Sequence, residues 1–140
     1  MIELLVVVAL IGVLAIMAMP IYFKYIDLAK GNRAEADIRT IEKAVQAYYI
    51  DRNTYPPDLQ TIGMNILDPW NRPYEYRCPP VLMGPDLITP WNGDFDIYSK
   101  GPDGIAVPDD DAPSSDDDII RAGDGWYVGL RHSITQSVTP

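Results

Sequence analysis

The sequence predicts an α+β protein, with one long N-terminal α-helix as a stalk and a small antiparallel β-sheet as a head. Three observations carry this. From Leu4 to Met19 no charged or strongly polar side chain occurs, and Pro20 to Phe23 extend the apolar run until Lys24 ends it. A bilayer span needs about 20 apolar residues, so this stretch is just long enough. Beyond Lys24, Ala34, Ile38, Ile41, Val45 and Tyr48 recur at helical spacing, with Arg33, Glu35, Asp37, Arg39, Glu42 and Lys43 on the other faces. After Pro56 and Pro57 the pattern shifts to short alternating runs between turn residues. The chain therefore divides into an apolar membrane-spanning or assembly-core helix (1–23), an amphipathic helix packed on the head (24–50) and the head itself (51–140).

Within the apolar run, Gly12 lowers helix propensity by about 1 kcal/mol and Pro20 removes a backbone hydrogen bond. The stretch between them is thus expected to kink or unwind. Glu3 is a carboxylate at the edge of a hydrophobic helix, either a solvated flank or a functional charge. A secretory signal begins with basic residues and has an apolar core of about 7–15 residues. This run has no early Lys or Arg and is longer, so it is expected to be retained. The helix should stop in Asp51-Arg52-Asn53-Thr54-Tyr55-Pro56-Pro57, because consecutive prolines bar its continuation. Residues 58–66 form a connection with room for one helical turn. Asp68 to Pro73 reads as a turn into a first strand, Tyr74-Glu75-Tyr76-Arg77, with one wet face. Asp94 to Ser99 is a second strand, and Gly125 to Leu130 a third.

With 140 residues and about fifty of them in the stalk, the head has only a modest core. The net charge of −9 argues against nucleic-acid binding, which needs a basic surface. Positive residues lie mostly on the helix, at Lys24, Lys30, Arg33, Arg39, Lys43 and Arg52, while aspartates crowd between Asp94 and Asp124. Cys78 is alone and cannot close an intramolecular disulfide; a buried structural role is expected. His132 is a single histidine in a polar tail, expected to be solvated. No phosphate-binding loop, Cys/His metal cluster or nucleophile with a nearby base appears, and Glu75, Asp94 and Asp96 read as solvated strand residues. The chain is not expected to be an enzyme. The helix aromatics Tyr22, Phe23, Tyr25, Tyr48 and Tyr49 suit packing.

Chemistry remains in the acidic segment. If 101–119 forms a closed loop, it gathers Asp103, Asp117 and Asp118. Like charges ~4 Å apart repel by about 4 kcal/mol at an effective dielectric of 20. A hard cation such as Ca²⁺ offsets that through 6–8 oxygen ligands. The spacing is not that of an EF-hand, and a solvated acidic loop is the alternative.

The run Ile2-Glu3-Leu4-Leu5-Val6-Val7-Val8-Ala9-Leu10-Ile11-Gly12-Val13-Leu14-Ala15, with Met19-Pro20, resembles the N-terminal helix of type IV pilins and type II secretion pseudopilins. Three head segments narrow the resemblance to the major pseudopilin: Asp68-Pro69-Trp70-Asn71-Arg72-Pro73-Tyr74, Tyr98-Ser99-Lys100-Gly101-Pro102-Asp103-Gly104, and Asp116-Asp117-Asp118-Ile119 ahead of Trp126. The sequence departs from the family in residues 81–90, in the acidic loop 108–115 and in the tail after Trp126.

The resemblance implies a type IV pilin-like fold. It also implies processing by a prepilin peptidase, N-methylation, and a glutamate, here Glu3, facing the amine of a neighbouring subunit. The family glutamate is fifth in the mature chain, so two residues are expected to precede Met1. Calcium is implied at Asp103, Asp117, Asp118 and the Lys100 carbonyl; Asp109, Asp110 and Asp111 have no family counterpart. The expected function is that of a structural subunit. It resides in the inner membrane as a single-pass monomer, then polymerises through an assembly platform into a helical homo-oligomeric filament, with Glu3, Gly12 and Pro20 as assembly residues. A periplasmic pseudopilus, an extracellular pilus for adhesion or motility, and a membrane-anchored calcium-binding module that never polymerises all remain open.

Overall fold

The computed structural model describes residues 1–83, 90–106 and 115–138. The chain forms two compact units, Met1–Lys30 and Gly31–Pro140. Helix α1 (Ile2–Arg52) begins in the first and ends in the second. Together with a four-stranded antiparallel sheet it gives the expected α+β, pilin-like architecture.

In the first unit the helix is continuous through Gly12 and position 20, so the unwinding expected there is not a property of this conformation. A proline removes only one donor, and the remaining backbone bonds carry the helix past it. The helix stops where the sequence says it should. Asn53 adopts a left-handed backbone (φ 55°), and its N–H donates to the Tyr49 carbonyl at 2.7 Å before the two prolines.

In the second unit, strands β1 (Glu75–Arg77), β2 (Asp96–Ser99), β3 (Ile119–Ala122) and β4 (Tyr127–Leu130) pair in chain order. Glu75 faces Tyr98, Tyr98 faces Ile120 and Ile120 faces Gly129. Ala34, Ile38, Ile41 and Val45 of α1, spaced by four, three and four residues, are fully buried with Phe95, Ile97, Ile119 and Tyr74. Each large aliphatic side chain buried there contributes about 1.5–3 kcal/mol. The opposite layer packs Leu82, Tyr98, Ile120 and Ala122 with Ile134 of a short C-terminal helix, α2 (Arg131–Val138).

Four readings are corrected here. Strand β3 and helix α2 were not foreseen, because 119–122 is buried on both faces and shows no alternation, while the tail reads as polar. Asp96 is fully buried and Asp94 partly so; neither is a solvated strand residue. Cys78 is exposed rather than buried, since it lies just past β1 at the sheet edge; its thiol is 3.7 Å from the Asp94 carbonyl. Residues 58–66 form turns rather than a helical turn.

Candidate functional site

The corner where β2 leaves the sheet is built by backbone geometry. Gly101 and Gly104 both take left-handed conformations (φ 58° and 78°), and the Gly104 N–H donates to the Lys100 carbonyl at 3.1 Å. A side chain at Gly101 would put its Cβ 2.3 Å from the Asp117 carbonyl oxygen, so only glycine lets the two segments cross this closely. The turn Asp68 to Pro73 braces the corner from outside. Asp68 accepts from the backbone N–H groups of Trp70 and Arg72 and from the Ser99 hydroxyl at 2.6 Å. The Arg72 guanidinium donates to the carbonyls of Gly101 (2.7 Å) and Pro102 (2.9 Å). Lys100 points its ammonium away, to Glu75 at 2.7 Å, leaving only its backbone at the corner.

The crossing brings Asp103 and Asp117 together, the Asp103 N–H donating to Asp117 Oδ2 at 3.2 Å, while Asp103 Oδ1 accepts from Ile105 at 2.7 Å. Asp118 is next. Its side chain is 0% exposed and neither carboxylate oxygen has a hydrogen-bond partner. Burial pushes its carboxyl up to about 8, with Asp117 and Asp103 adding to the rise; Arg131 and Ser115 pull the other way without offsetting it. Buried carboxylates normally have their oxygens satisfied, so this pair of orphans calls for a ligand.

The donors at the corner are carboxylate and peptide oxygens, the set a hard cation prefers, and on that count the residues fit calcium. Among the described residues no three carboxylate, imidazole or thiol side chains form a ready-made metal cluster. Asp109, Asp110 and Asp111 lie outside the described residues.

A second network ties α1 to the sheet, and the sequence reading missed it. Arg121, on β3, is fully buried: Nε donates to Glu42 Oε1 and both terminal nitrogens donate to Asp94, all at 2.8 Å, while Nη1 also reaches the Phe95 carbonyl at 2.9 Å. Its guanidinium lies 4.1 Å from the centre of the Phe95 ring. Arg39 donates to the Gly125 carbonyl beside it. The network is a structural tie between α1 and the sheet.

In the N-terminal unit, the side chains described from Met1 to Phe23 are exposed, including Leu5, Ile11, Leu14 and Phe23. The helix is long and apolar enough to cross a membrane, and among the described residues none of that apolar stretch is buried. Glu3 lies in its first turn, and a Cβ at Gly12 would meet nothing among the described residues within 4 Å beyond its neighbours and the helix's own backbone. The side chain of Pro20 lies outside the described residues.

The model of the family "Type II secretion system (T2SS), protein G" matches residues 22–67. The chain is 30% identical over 141 residues to the type II secretion system core protein G of Dickeya chrysanthemi, covering 92% of this chain and 85% of the relative. This chain belongs to the core protein G family. The same-named protein of Pectobacterium carotovorum subsp. carotovorum is 32% identical over 123 residues, covering 79% of each chain. That of Klebsiella pneumoniae is 29% identical over 143 residues, covering 94% of each. No solved structure matches the chain. Family membership bears out the resemblance to the major pseudopilin read from the first helix and the three head segments. The braced corner is therefore a feature of a core protein G head.

Proposed function

We propose that this chain is a structural subunit rather than an enzyme, held in the inner membrane as a single-pass monomer and then polymerised into the helical filament of a type II secretion pseudopilus. The observation that supports this best is the N-terminal helix, whose described apolar side chains from Met1 to Phe23 are exposed. Lipid covers it in the monomer, and helices of further copies cover it after assembly; a repeated heterologous contact of this kind propagates as an open helical filament. In that filament Glu3 pairs with the N-terminal amine of an adjacent subunit, which offsets its burial and sets axial register. Gly12 and Pro20 weaken the helix between them so that it stretches on packing. A prepilin peptidase and an assembly platform are the partners this route requires.

The head carries calcium at Asp103, Asp117, Asp118 and the Lys100 carbonyl. When bound, the cation supplies two positive charges to a corner that otherwise holds uncompensated carboxylates. The residues' part is to present them: Gly101 permits the crossing, Arg72 fixes the turn and burial keeps water from Asp118.

Two experiments test this reading. Co-expressed with its secretion machinery, the parent should give filaments by electron microscopy of membranes and sheared material. Glu3→Ala should insert and fold yet assemble poorly; normal filaments from that variant would remove the register role, and no filaments from the parent would favour a non-polymerising membrane anchor. For calcium, the full chain in detergent should melt higher in calcium than in chelator. At a hundredfold excess over Kd the gain is about 2.7 kcal/mol, or roughly 10 °C or more, with magnesium a poor substitute. An unchanged melt would refute the calcium site, and an undiminished calcium response in Asp117→Ala would remove that residue from it.

A further inference from the structure

The apolar run of α1 is bracketed by charge, with Glu3 before it and Lys24 after it. At a rise of about 1.5 Å per residue the two lie about 32 Å apart along the helix, close to the ~30 Å of a bilayer's hydrocarbon core. The aromatic residues of this stretch are not spread along it; Tyr22, Phe23 and Tyr25 gather at the Lys24 end. Consecutive residues are turned by about 100° around a helix axis, so these four side chains leave in different directions and ring the helix as a collar. Tyr22 is 65%, Phe23 57% and Tyr25 67% exposed, and Lys24 is exposed as well. The rings of Tyr22 and Phe23 meet edge to face, their centroids 6.3 Å apart. A packing partner covers one side of a helix and selects apolar residues three and four apart, as it does at Ala34, Ile38, Ile41 and Val45. A collar instead suits surroundings that are the same on every side and change from apolar to wet along the axis. Phenol rings with a polar tip and a lysine with an apolar stem match that boundary.

We propose that Tyr22, Phe23, Lys24 and Tyr25 form an interfacial collar that binds the phospholipid headgroup layer and fixes the depth of the monomer in the bilayer. This rests on the membrane-monomer reading and adds a set depth to it. With the collar at one boundary, the length of the run brings Glu3 to the other, while Asp27, Lys30 and Arg33 emerge into water. Glu3 is then held at one level before assembly, instead of rising and sinking with a helix free to slide.

The test places the full chain, at high dilution, in vesicles of phosphatidylethanolamine and phosphatidylglycerol whose acyl chains carry bromine, a quencher of tryptophan, either high, next to the glycerol, or low, near the methyl end. Phe23→Trp keeps the collar and reports its depth, and Leu14→Trp reports the middle of the run. The native Trp70, Trp91 and Trp126 belong to the unit Gly31–Pro140, and their signal is subtracted with the parent chain. Phe23→Trp should be quenched more by the high bromine and Leu14→Trp more by the low one. Phe23→Trp quenched in the same way as Leu14→Trp would place the collar in hydrocarbon. Phe23→Trp unquenched while Leu14→Trp is quenched would place it in water or under a second copy of the chain. Either result overturns the collar and leaves the membrane span standing, whereas Leu14→Trp unquenched by both lipids overturns the span and the collar with it. For the anchoring, Met19→Trp is compared with and without the triple change Tyr22→Leu/Phe23→Leu/Tyr25→Leu. Leucine prefers hydrocarbon and the Lys24 stem can snorkel, so the reporter should move deeper by about one helical turn, ~5 Å, read as a shift of quenching from the high to the low bromine. An unchanged ratio would deny the aromatic residues a depth role and overturn the anchoring.

Discussion

Removing the buried guanidinium at position 121 should be among the most damaging single changes in the head. Arg121→Met keeps the apolar stem but strips Glu42 and Asp94 of their shared partner, leaving Glu42, whose side chain is 8% exposed, to its longer contact with Arg39 at 3.4 Å. Breaking a buried ion pair from one side costs about 3–5 kcal/mol. At about 4–8 °C per kcal/mol for a domain of this size, the melting temperature should fall by roughly 12–40 °C. Loss of the cation–π contact with Phe95 and of the bond to its carbonyl pushes the same way. The assay is thermal unfolding of the full chain in detergent, followed by fluorescence of Trp70, Trp91 and Trp126, because far-ultraviolet dichroism would be dominated by α1. Glu42→Gln combined with Arg121→Met should cost less than the sum of the single changes, since both single changes remove the same Arg121–Glu42 contact at 2.8 Å. A fall of less than about 4 °C for Arg121→Met would show that water reaches these carboxylates and that the network is not a closed one.

Two pH dependences follow from the carboxyls of Asp94 and Asp118. Burial pushes the Asp94 carboxyl up, but the Arg121 guanidinium and the Phe95 N–H more than reverse this and hold it below its ordinary 3.8. A depressed folded-state pKa contributes stability that is present above the unfolded value and lost as pH falls through the folded one, so the parent should weaken below about pH 4 and Arg121→Met should begin to weaken at a higher pH. Asp118 has the opposite sign. Its folded pKa of about 8 lies above 3.8, so the folded state keeps a proton that the unfolded chain has released, and in chelator the melting temperature should drop between about pH 4 and pH 8. Saturating calcium should flatten or reverse that slope, because binding takes the ionised carboxylate. A chelator profile that is flat or rises over this range would show that the Asp118 carboxyl is hydrated.

What the sequence made legible was whatever repeats at a fixed period. The buried face of α1 could be read from Ala34, Ile38, Ile41 and Val45 because a helix must bury one stripe, and its end from Pro56 and Pro57. Strand β3 escaped because Ile119-Ile120-Arg121-Ala122 is buried on both faces and contains an arginine, a residue rarely placed in a core. Its partner Glu42 is 79 residues away in sequence, and no local pattern links the two. The acidic corner was legible only in part. Spacing marked Asp103, Asp117 and Asp118 as crowded, and resemblance joined them to the Lys100 carbonyl. The bracing role of Arg72 and Asp68 and the approach of α2 through Arg131 depend on chain crossings that no linear spacing encodes.

The buried acids of the head then sort themselves by how each is satisfied. Glu42 is held by Arg121 at 2.8 Å. Asp68 accepts two backbone N–H groups and the Ser99 hydroxyl. Asp96 accepts the N–H groups of Val81 and Leu82, at 2.5 and 2.8 Å, and the amide of Asn92 at 2.8 Å. Among the described residues Asp118 is the one buried carboxylate whose oxygens have no hydrogen-bond partner. A head with a modest core has little stability with which to bear an uncompensated buried charge. The carboxylate therefore persists by protonation or by a bound cation. These two routes respond differently to pH and to chelation, so the two measurements together assign the share of each.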